Sequence, residues 1–226
     1  MKLITGDLSP YSAKVRMQLY AMGIDDIEFD LPAKMFFQGR LSEYSPIGRI
    51  PVLEVDEGII PESEVISEYL DDIYPDRALL GDTPWVRSQA RLISRIADIY
   101  LMNNIFMALP QVNRKTRVDA ISDLLMSQVA RGMGALEQHI GTGDFAVGDQ
   151  LTRADCSLVP ALFLCQNTVP MLDVDSPIEN TEKVAAYWEK IQTNEFASKV
   201  LDEMARGLKA RQDGTERKVI EEAISR

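Results

Sequence analysis

One histidine, His139, and two cysteines, Cys156 and Cys165, are all that 226 residues supply of the imidazoles and thiols that most often bind transition metals or form nucleophile–base pairs. A Ser-His-Asp hydrolase would have to be built around His139, and no Gly-x-Ser-x-Gly element supports one. His139 falls just before Gly141 at the close of a helical pattern, where an imidazole beside the last carbonyls is ordinary. The cysteines lie nine apart on one helical pattern, a spacing that fits neither a Cys-x-x-Cys redox pair nor a zinc ligand set. They read as buried thiols, their scarcity suits a reducing cytosol, and no metal is expected.

Basic charge is also short. Lys and Arg total 24 against 35 Asp and Glu, a formal charge of −11. Positions 1–80 hold 7 basic and 15 acidic residues, or −8 of that total. Such a surface repels phosphate backbones, so nucleic acid is excluded as a partner. An anionic small ligand would meet the same field and would need local N–H groups and a few well-placed cations. The opening Met1-Lys2-Leu3-Ile4-Thr5-Gly6-Asp7 turns polar too early for a signal peptide. No apolar run approaches the roughly 20 residues of a membrane span. The expectation is a cytoplasmic protein without a membrane partner.

What is present divides into two patterns. Up to about Tyr74, short apolar runs alternate with amphipathic ones. Lys2–Thr5 reads as a strand, Ser12–Met22 as a helix with Val15, Leu19 and Met22 on one face, and Ile27–Asp30 as a second strand. Residues 31–49 are irregular, punctuated by Pro32, Gly39, Pro46 and Gly48. Val52–Val55, the turn Asp56-Glu57-Gly58 and Ile59–Ile60 form a predicted hairpin. Ser63–Tyr74 forms a helix that turns Ile66, Tyr69, Leu70 and Ile73 inward. The order βαβ, an irregular segment, then ββα predicts an α/β layer on a mixed sheet.

After the turn-rich stretch 75–84, strand signals vanish and helical patterns cover about 85–109, 115–140, 153–168, 182–193 and 195–209. In Leu151-Thr152-Arg153-Ala154-Asp155-Cys156, Thr152 is placed to cap a helix while Asp155 reaches back to the cap N–H, which gives Asp155 a folding role. The charged end, residues 207–226, reads as a frayed helix or a disordered tail. The predicted division is a first domain at 1–77, a linker at 78–84 and an all-helical domain at 85–226.

Three places carry candidate chemistry. Ser9-Pro10-Tyr11-Ser12-Ala13-Lys14-Val15-Arg16 sets hydroxyls where a strand meets a helix start, whose unpaired N–H groups and partial positive charge favour a thiolate or carboxylate. In Arg49-Ile50-Pro51-Val52-Leu53-Glu54-Val55, a cis Pro51 would turn the Ile50 backbone groups outward, free to pair with an extended peptide. In Pro61-Glu62-Ser63-Glu64, Ser63 opens a second helix start for a carboxylate and Glu62 suits an ammonium group, together matching an amino acid head group. The plain alternative for Ser9 and Ser63 is helix capping.

These three segments, followed by a helical domain with a capping box, resemble the cytosolic glutathione transferase family over nearly the whole chain. The resemblance implies a thioredoxin-like N-terminal domain with a mixed four-stranded sheet, a helical-bundle C-terminal domain that contributes the electrophile site, and a homodimer serving detoxification. It implies glutathione as cosubstrate and a small hydrophobic electrophile as the second substrate. By position, Ser9, with Ser12 as understudy, meets the glutathione sulfur. Ile50, preceding Pro51, pairs with the cysteinyl backbone. Glu62 and Ser63 hold the γ-glutamyl end, and Lys34, Gln38 or Arg49 the glycyl carboxylate.

The chain then looks like a serine-type member similar to the zeta and theta classes. It departs from the zeta pattern because Pro10-Tyr11 replaces small polar and thiol residues between the two serines. Without cysteine at 9 or 12, reduction through a mixed disulfide at that helix start is disfavoured.

No strong base is required. A thiol titrates near 8.5, and a hydroxyl donor beside helix-start N–H groups lowers that value. The electrophile pocket is expected to be apolar, from Tyr11, Phe36, Tyr100, Asn103 and Met107. At helical spacing Tyr100, Asn103 and Met107 share one side, Met102 and Phe106 another, and one of the two packs into the core. Two further readings stand beside transfer: a glutathione-dependent isomerase similar to maleylacetoacetate isomerase, which consumes no glutathione, and a noncatalytic binding or regulatory protein on the same two-domain shell.

Overall fold

The computed structural model describes residues 1–30 and 40–225. Lys34, Phe36 and Gln38 lie outside the described residues. The chain divides into two compact units, Met1–Ala78 together with Lys199–Arg226, and Leu79–Ser198.

In the first unit, β1 (Lys2–Ile4), β2 (Glu28–Asp30), β3 (Val52–Val55) and β4 (Gly58–Pro61) form a four-stranded sheet in the order β2-β1-β3-β4. β1 pairs parallel with β2 and antiparallel with β3, and β3 pairs antiparallel with β4, so the sheet is mixed as the pattern predicted. The connection between β1 and its parallel neighbour is α1 (Pro10–Ala21). This helix starts two residues before the predicted position, because Ser9 takes the N-cap and Pro10 the first helical position, where its missing N–H costs nothing. Val15, Leu19 and Met22 are buried as predicted, but Lys14, Arg16 and Gln18 are buried too, so α1 is enclosed on nearly every side.

A short helix, α2 (Leu41–Tyr44), precedes β3, and α3 (Ser63–Ile73) follows β4. Ile66 and Leu70 are fully buried on α3, whereas Ile73, predicted to face inward, is exposed near its end. Gln18 ties α1 to α3 by donating to the Ser67 carbonyl at 2.9 Å and to Asp71 Oδ1 at 3.1 Å.

The second unit is helical. It holds α4 (Pro84–Ile96), a π-helical turn (Ala97–Met102), α5 (Asn103–Ala108), α6 (Asp119–His139), α7 (Arg153–Asn167) and α8 (Glu182–Ile191). α9 (Glu195–Gln212) starts here and continues into the first unit. The predicted 85–109 helix is thus interrupted. The Asn103 N–H bonds the Asp98 carbonyl five residues back, and the Asn104 side chain donates to the carbonyls of Ile99 at 2.9 Å and Tyr100 at 3.0 Å, both within the widened turn. α6 approaches this turn at Gly132, where a Cβ would lie 2.7 Å from Tyr100 Cβ and 3.0 Å from Leu101 Cδ2.

α6 begins four residues later than predicted because Asn113–Val118 is taken up by local bonds, among them Lys115 N–H to Asn113 Oδ1 and Val118 N–H to Gln111 Oε1. α8 lacks a cap of its own. The Glu137 carboxylate on α6 accepts its Lys183 and Val184 N–H groups instead. Past Gly214, at φ +80°, the chain forms α10 (Thr215–Ser225), so the charged end is helical within the described residues.

By length and composition, Pro84–Val112 would reach across a bilayer, with half of its most apolar window buried inside the fold. This corrects the expectation that no segment approaches a span. Arg95, Asp98, Asn103 and Asn104 break the apolar run in sequence while the stretch as a whole stays apolar. Its α4 and π-helical parts pack against α7, and its α5 part against α6, the arrangement of a central core helix.

Cys156 and Cys165 are both free and buried on α7, and burial pushes the Cys165 thiol up to about 12. The capping box forms as read. Thr152 Oγ1 accepts from Ala154 N–H at 3.3 Å, and Asp155 Oδ2 accepts from Thr152 N–H at 2.8 Å. Asp155 Oδ1 also accepts from Ala146 N–H at 2.7 Å and from the Tyr187 hydroxyl at 3.1 Å. Burial nevertheless dominates and pushes the Asp155 carboxyl up from 3.8 to about 6, with these donors pulling it down.

A group whose folded value lies above its unfolded one contributes fully below the unfolded value and loses that contribution as pH climbs through the folded one. Urea unfolding from pH 4 to 7 should therefore show the stability gap between wild type and Asp155→Asn widest at pH 4. It should narrow by up to about 3 kcal/mol at neutrality. A gap independent of pH would contradict the raised value.

Candidate active site

Strand register assembles the site. Ile4 of β1 lies opposite Val52 of β3, and Val52 opposite Pro61 of β4, so these three residues form one row across the sheet. One step further along each strand stand Thr5, Pro51 and Glu62. The three segments singled out in the sequence therefore converge at one end of the sheet although about fifty residues separate the first from the others. Ile4, Val52 and Leu41 form a small buried cluster beneath, with Ile50 packed against it.

Ser9 and Ser12 occupy different environments. Ser9 is half-buried at the N-cap of α1, and its Oγ accepts from Ser12 N–H at 3.3 Å. A hydroxyl carries one proton and two lone pairs, so accepting from the helix leaves the Ser9 O–H able to donate elsewhere. Ser12 is fully enclosed, and its hydroxyl takes no partner among the described residues. Of the two, Ser9 alone has a solvent-accessible side.

The Ile50–Pro51 peptide bond is cis, with Ile50 half-buried and Arg49 exposed. At the third segment the structure departs from the capping alternative for Ser63. Glu62, not Ser63, stands at the N-cap of α3, at φ +72°, and no side chain caps the helix. A non-glycine residue held in this region costs about 1–3 kcal/mol, a strain that concentrates at functional positions. Ser63, in the first turn, is 6% exposed. The Glu62 side chain makes no capping bond to this helix start, whose first-turn N–H groups are of the kind that favour an anionic acceptor.

Two buried cations were not read as part of the site. Lys14, fully buried on α1, pairs through Nζ with Glu64 Oε2 at 2.5 Å, joining the helix that Ser9 caps to the first turn of α3. Arg16, 2% exposed, donates to Thr5 Oγ1, the Gly6 and Asp7 carbonyls and Glu203. Lysine and arginine are almost never fully buried unless paired, so the residue types alone give no reason to place these two inside. Only the helix's complete enclosure shows otherwise.

The residues expected around an electrophile lie in both units. Tyr11 is half-buried in the first. In the second, Tyr100, Asn103 and Met107 are exposed, while Met102 is fully buried. Phe106, predicted to share a side with Met102, is 44% exposed, the buried residues beyond the π-helical turn being Ile105 and Ala108. Among the described residues no cluster of three or more His, Cys, Asp or Glu side chains is placed to hold a metal. His139 is exposed at the last position of α6.

Residues 3–78 match the family described as the glutathione S-transferase N-terminal domain, and residues 118–189 that described as the C-terminal domain. The chain is 32% identical over 197 residues to the maleylacetoacetate isomerase of Pseudomonas aeruginosa, spanning 82% of this chain and 91% of that protein. It is 26% identical over 196 residues to glutathione S-transferase U2 of Arabidopsis thaliana, spanning 84% and 82%. A glutathione S-transferase from Methylobacterium radiotolerans, crystallised with glutathione sulfonate, superposes with a TM-score of 0.75 at 20% identity over 88% of this chain and 93% of that one, a likeness of fold.

The chain belongs to the glutathione S-transferase family, with a thioredoxin-like N-terminal domain followed by a helical one.

Replacing Lys14 with Met should lower stability by about 3 kcal/mol, the usual effect of removing one partner of a buried pair. The urea midpoint should fall at unchanged slope, and an unchanged midpoint would contradict the coupling of α1 to α3.

Proposed function

We propose that this protein binds glutathione at the end of the sheet and lowers the pKa of its thiol with the Ser9 hydroxyl. It then directs the thiolate onto a small hydrophobic electrophile, as a glutathione transferase. The observation that carries this reading is the N-cap geometry of Ser9: its oxygen accepts from the helix, its proton meets no acceptor among the described residues, and its side is accessible. In this reading the uncapped start of α3 receives the α-carboxylate of the γ-glutamyl group, Glu62 faces its ammonium, and the Ile50 backbone pairs with the cysteinyl residue. Arg49, Lys34 or Gln38 holds the glycyl carboxylate. Local N–H groups and these cations oppose the acidic field of residues 1–80.

The protein's part in the chemistry is to bind, ionise and aim a nucleophile that belongs to the cosubstrate. Each unit by which the thiol is lowered corresponds to about 1.4 kcal/mol in favour of the thiolate. In this reading the candidates for contact with the electrophile are Tyr11 and Phe36 from the N-terminal domain and Tyr100, Asn103 and Met107 from the helical one. The working form in this reading is a cytoplasmic homodimer.

A second reading is favoured by the likeness to maleylacetoacetate isomerase across nearly that protein's whole length. In it the thiolate adds to the substrate, a bond rotates, and glutathione leaves unchanged. Both readings need the same ionised sulfur and differ in whether glutathione is consumed.

Saturable glutathione binding by calorimetry tests the shared step, and a vacant site at saturating concentration would overturn both readings. Ser9→Ala should lower kcat/KM for a test aryl halide about tenfold, the effect of a one-unit rise in thiol pKa near neutrality. Unchanged activity would exclude Ser9. With maleylacetoacetate as substrate, thiol loss in step with product indicates conjugation, and product without thiol loss indicates isomerisation.

A further inference from the structure

Only Thr5, Gly6, Asp7 and Leu8 connect the end of β1 to Ser9, and this segment is held from both sides. From the inside, Arg16 Nη1 donates to Thr5 Oγ1 at 2.6 Å and the Gly6 carbonyl at 3.0 Å, while Nη2 donates to the Asp7 carbonyl at 3.1 Å. The Gly6 carbonyl also accepts the Ser9 N–H at 3.1 Å, so guanidinium and serine backbone meet on one oxygen. From the outside, α9 lies against the same residues. Gly207 approaches so closely that a Cβ there would stand 2.8 Å from Leu8 N and 3.0 Å from Asp7 Cβ, and Arg206 Nε donates to Asp7 Oδ2 at 2.8 Å.

Glu203 of α9 joins the two sides. Its Oε2 accepts Arg16 Nε at 2.7 Å, and its Oε1 accepts the Tyr20 hydroxyl at 2.7 Å. Lys199, one turn earlier on α9, sits 3.5 Å over the Tyr20 ring. Arg16 thus spends its fork on three successive residues of the segment and its Nε on the helix that bounds it.

We propose that Arg16, Glu203 and Gly207 are positioning residues for Ser9, with α9 acting as a strap that fixes the β1–α1 turn and so aims the serine hydroxyl at the glutathione sulfur. None of them touches the reacting atoms. The inference rests on Ser9 being the thiol-ionising hydroxyl. A chain element nearly two hundred residues from Ser9 would then set how much of the bound glutathione is ionised. Gly207→Ala perturbs the segment by volume alone and Glu203→Gln by removing the ion pair, so two independent changes should have one consequence.

The test uses the full chain with glutathione as probe, reading the ionised fraction of bound thiol at pH 7 by thiolate absorbance and affinity by calorimetry. Ser9→Ala is measured in parallel. For Gly207→Ala and Glu203→Gln the expected result is a fall in ionised fraction of about three- to tenfold, of the order that a half to one unit of thiol pKa produces. Glutathione Kd should stay within about threefold, because the groups assigned to the two ends of the tripeptide lie elsewhere. Arg16→Lys should fall as well, since an ammonium cannot reproduce the fork.

A lowered melting temperature with an unchanged ionised fraction in the folded Gly207→Ala protein would overturn the proposal and leave a structural role. If Ser9→Ala itself leaves the ionised fraction unchanged, the assignment of Ser9 fails, and the positioning role falls with it. Should Glu203→Gln fail to fold, Gly207→Ala alone decides.

Discussion

Enclosing α1 with two cations inside it is the constraint that organises the first unit. A lysine or arginine withdrawn from water must meet an anion and satisfy its donors, or the helix cannot be buried. Lys14 meets this demand with Glu64 and so brings α3 to α1. Arg16 meets it with Glu203 and the β1–α1 turn, and so brings α9 to the same helix. The helix start assigned to the glutathione sulfur and the one assigned to its γ-glutamyl end are therefore held to one another by one of the charges that made the helix hard to bury.

Much of this architecture was legible in the amino acid order. The hairpin of β3 and β4, the mixed sheet, the helical second half and the capping box at Thr152 all follow from short-range patterns, because each depends on neighbours within a few residues. The three segments of the candidate site were visible for the same reason. Each has a local signature of hydroxyl, proline or helix start.

What stayed hidden depends on distance. The row joining Ile4, Val52 and Pro61 is a property of strand register, and no single strand contains it. Lys14 and Arg16 are residue types that ordinarily face water, so nothing marks them as buried until the enclosure of α1 is known. The place of Glu62 at the N-cap of α3 was missed because a positive φ at a glutamate runs against its residue preference, and Ser63 was the conventional choice for a cap. The role of α9 was invisible because the charged end of the chain carries no motif, and its meaning lies in Gly207 and Glu203 meeting residues 5–8.

The π-helical turn at Ala97–Met102 acts as a phase shifter. An α-helix advances about 100° per residue, so one extra residue rotates everything beyond it by roughly that angle. Buried positions include Ile93, Ile96, Ala97, Leu101, Met102, Ile105 and Ala108, while Tyr100, Phe106 and Met107 are exposed. With one residue fewer in the turn, Phe106 would take the buried place that Ile105 now holds, while Met107 would take the exposed place of Phe106. Which residues of this helix meet water thus depends on a single surplus residue, and its gain or loss would exchange part of that surface chemistry without a substitution elsewhere.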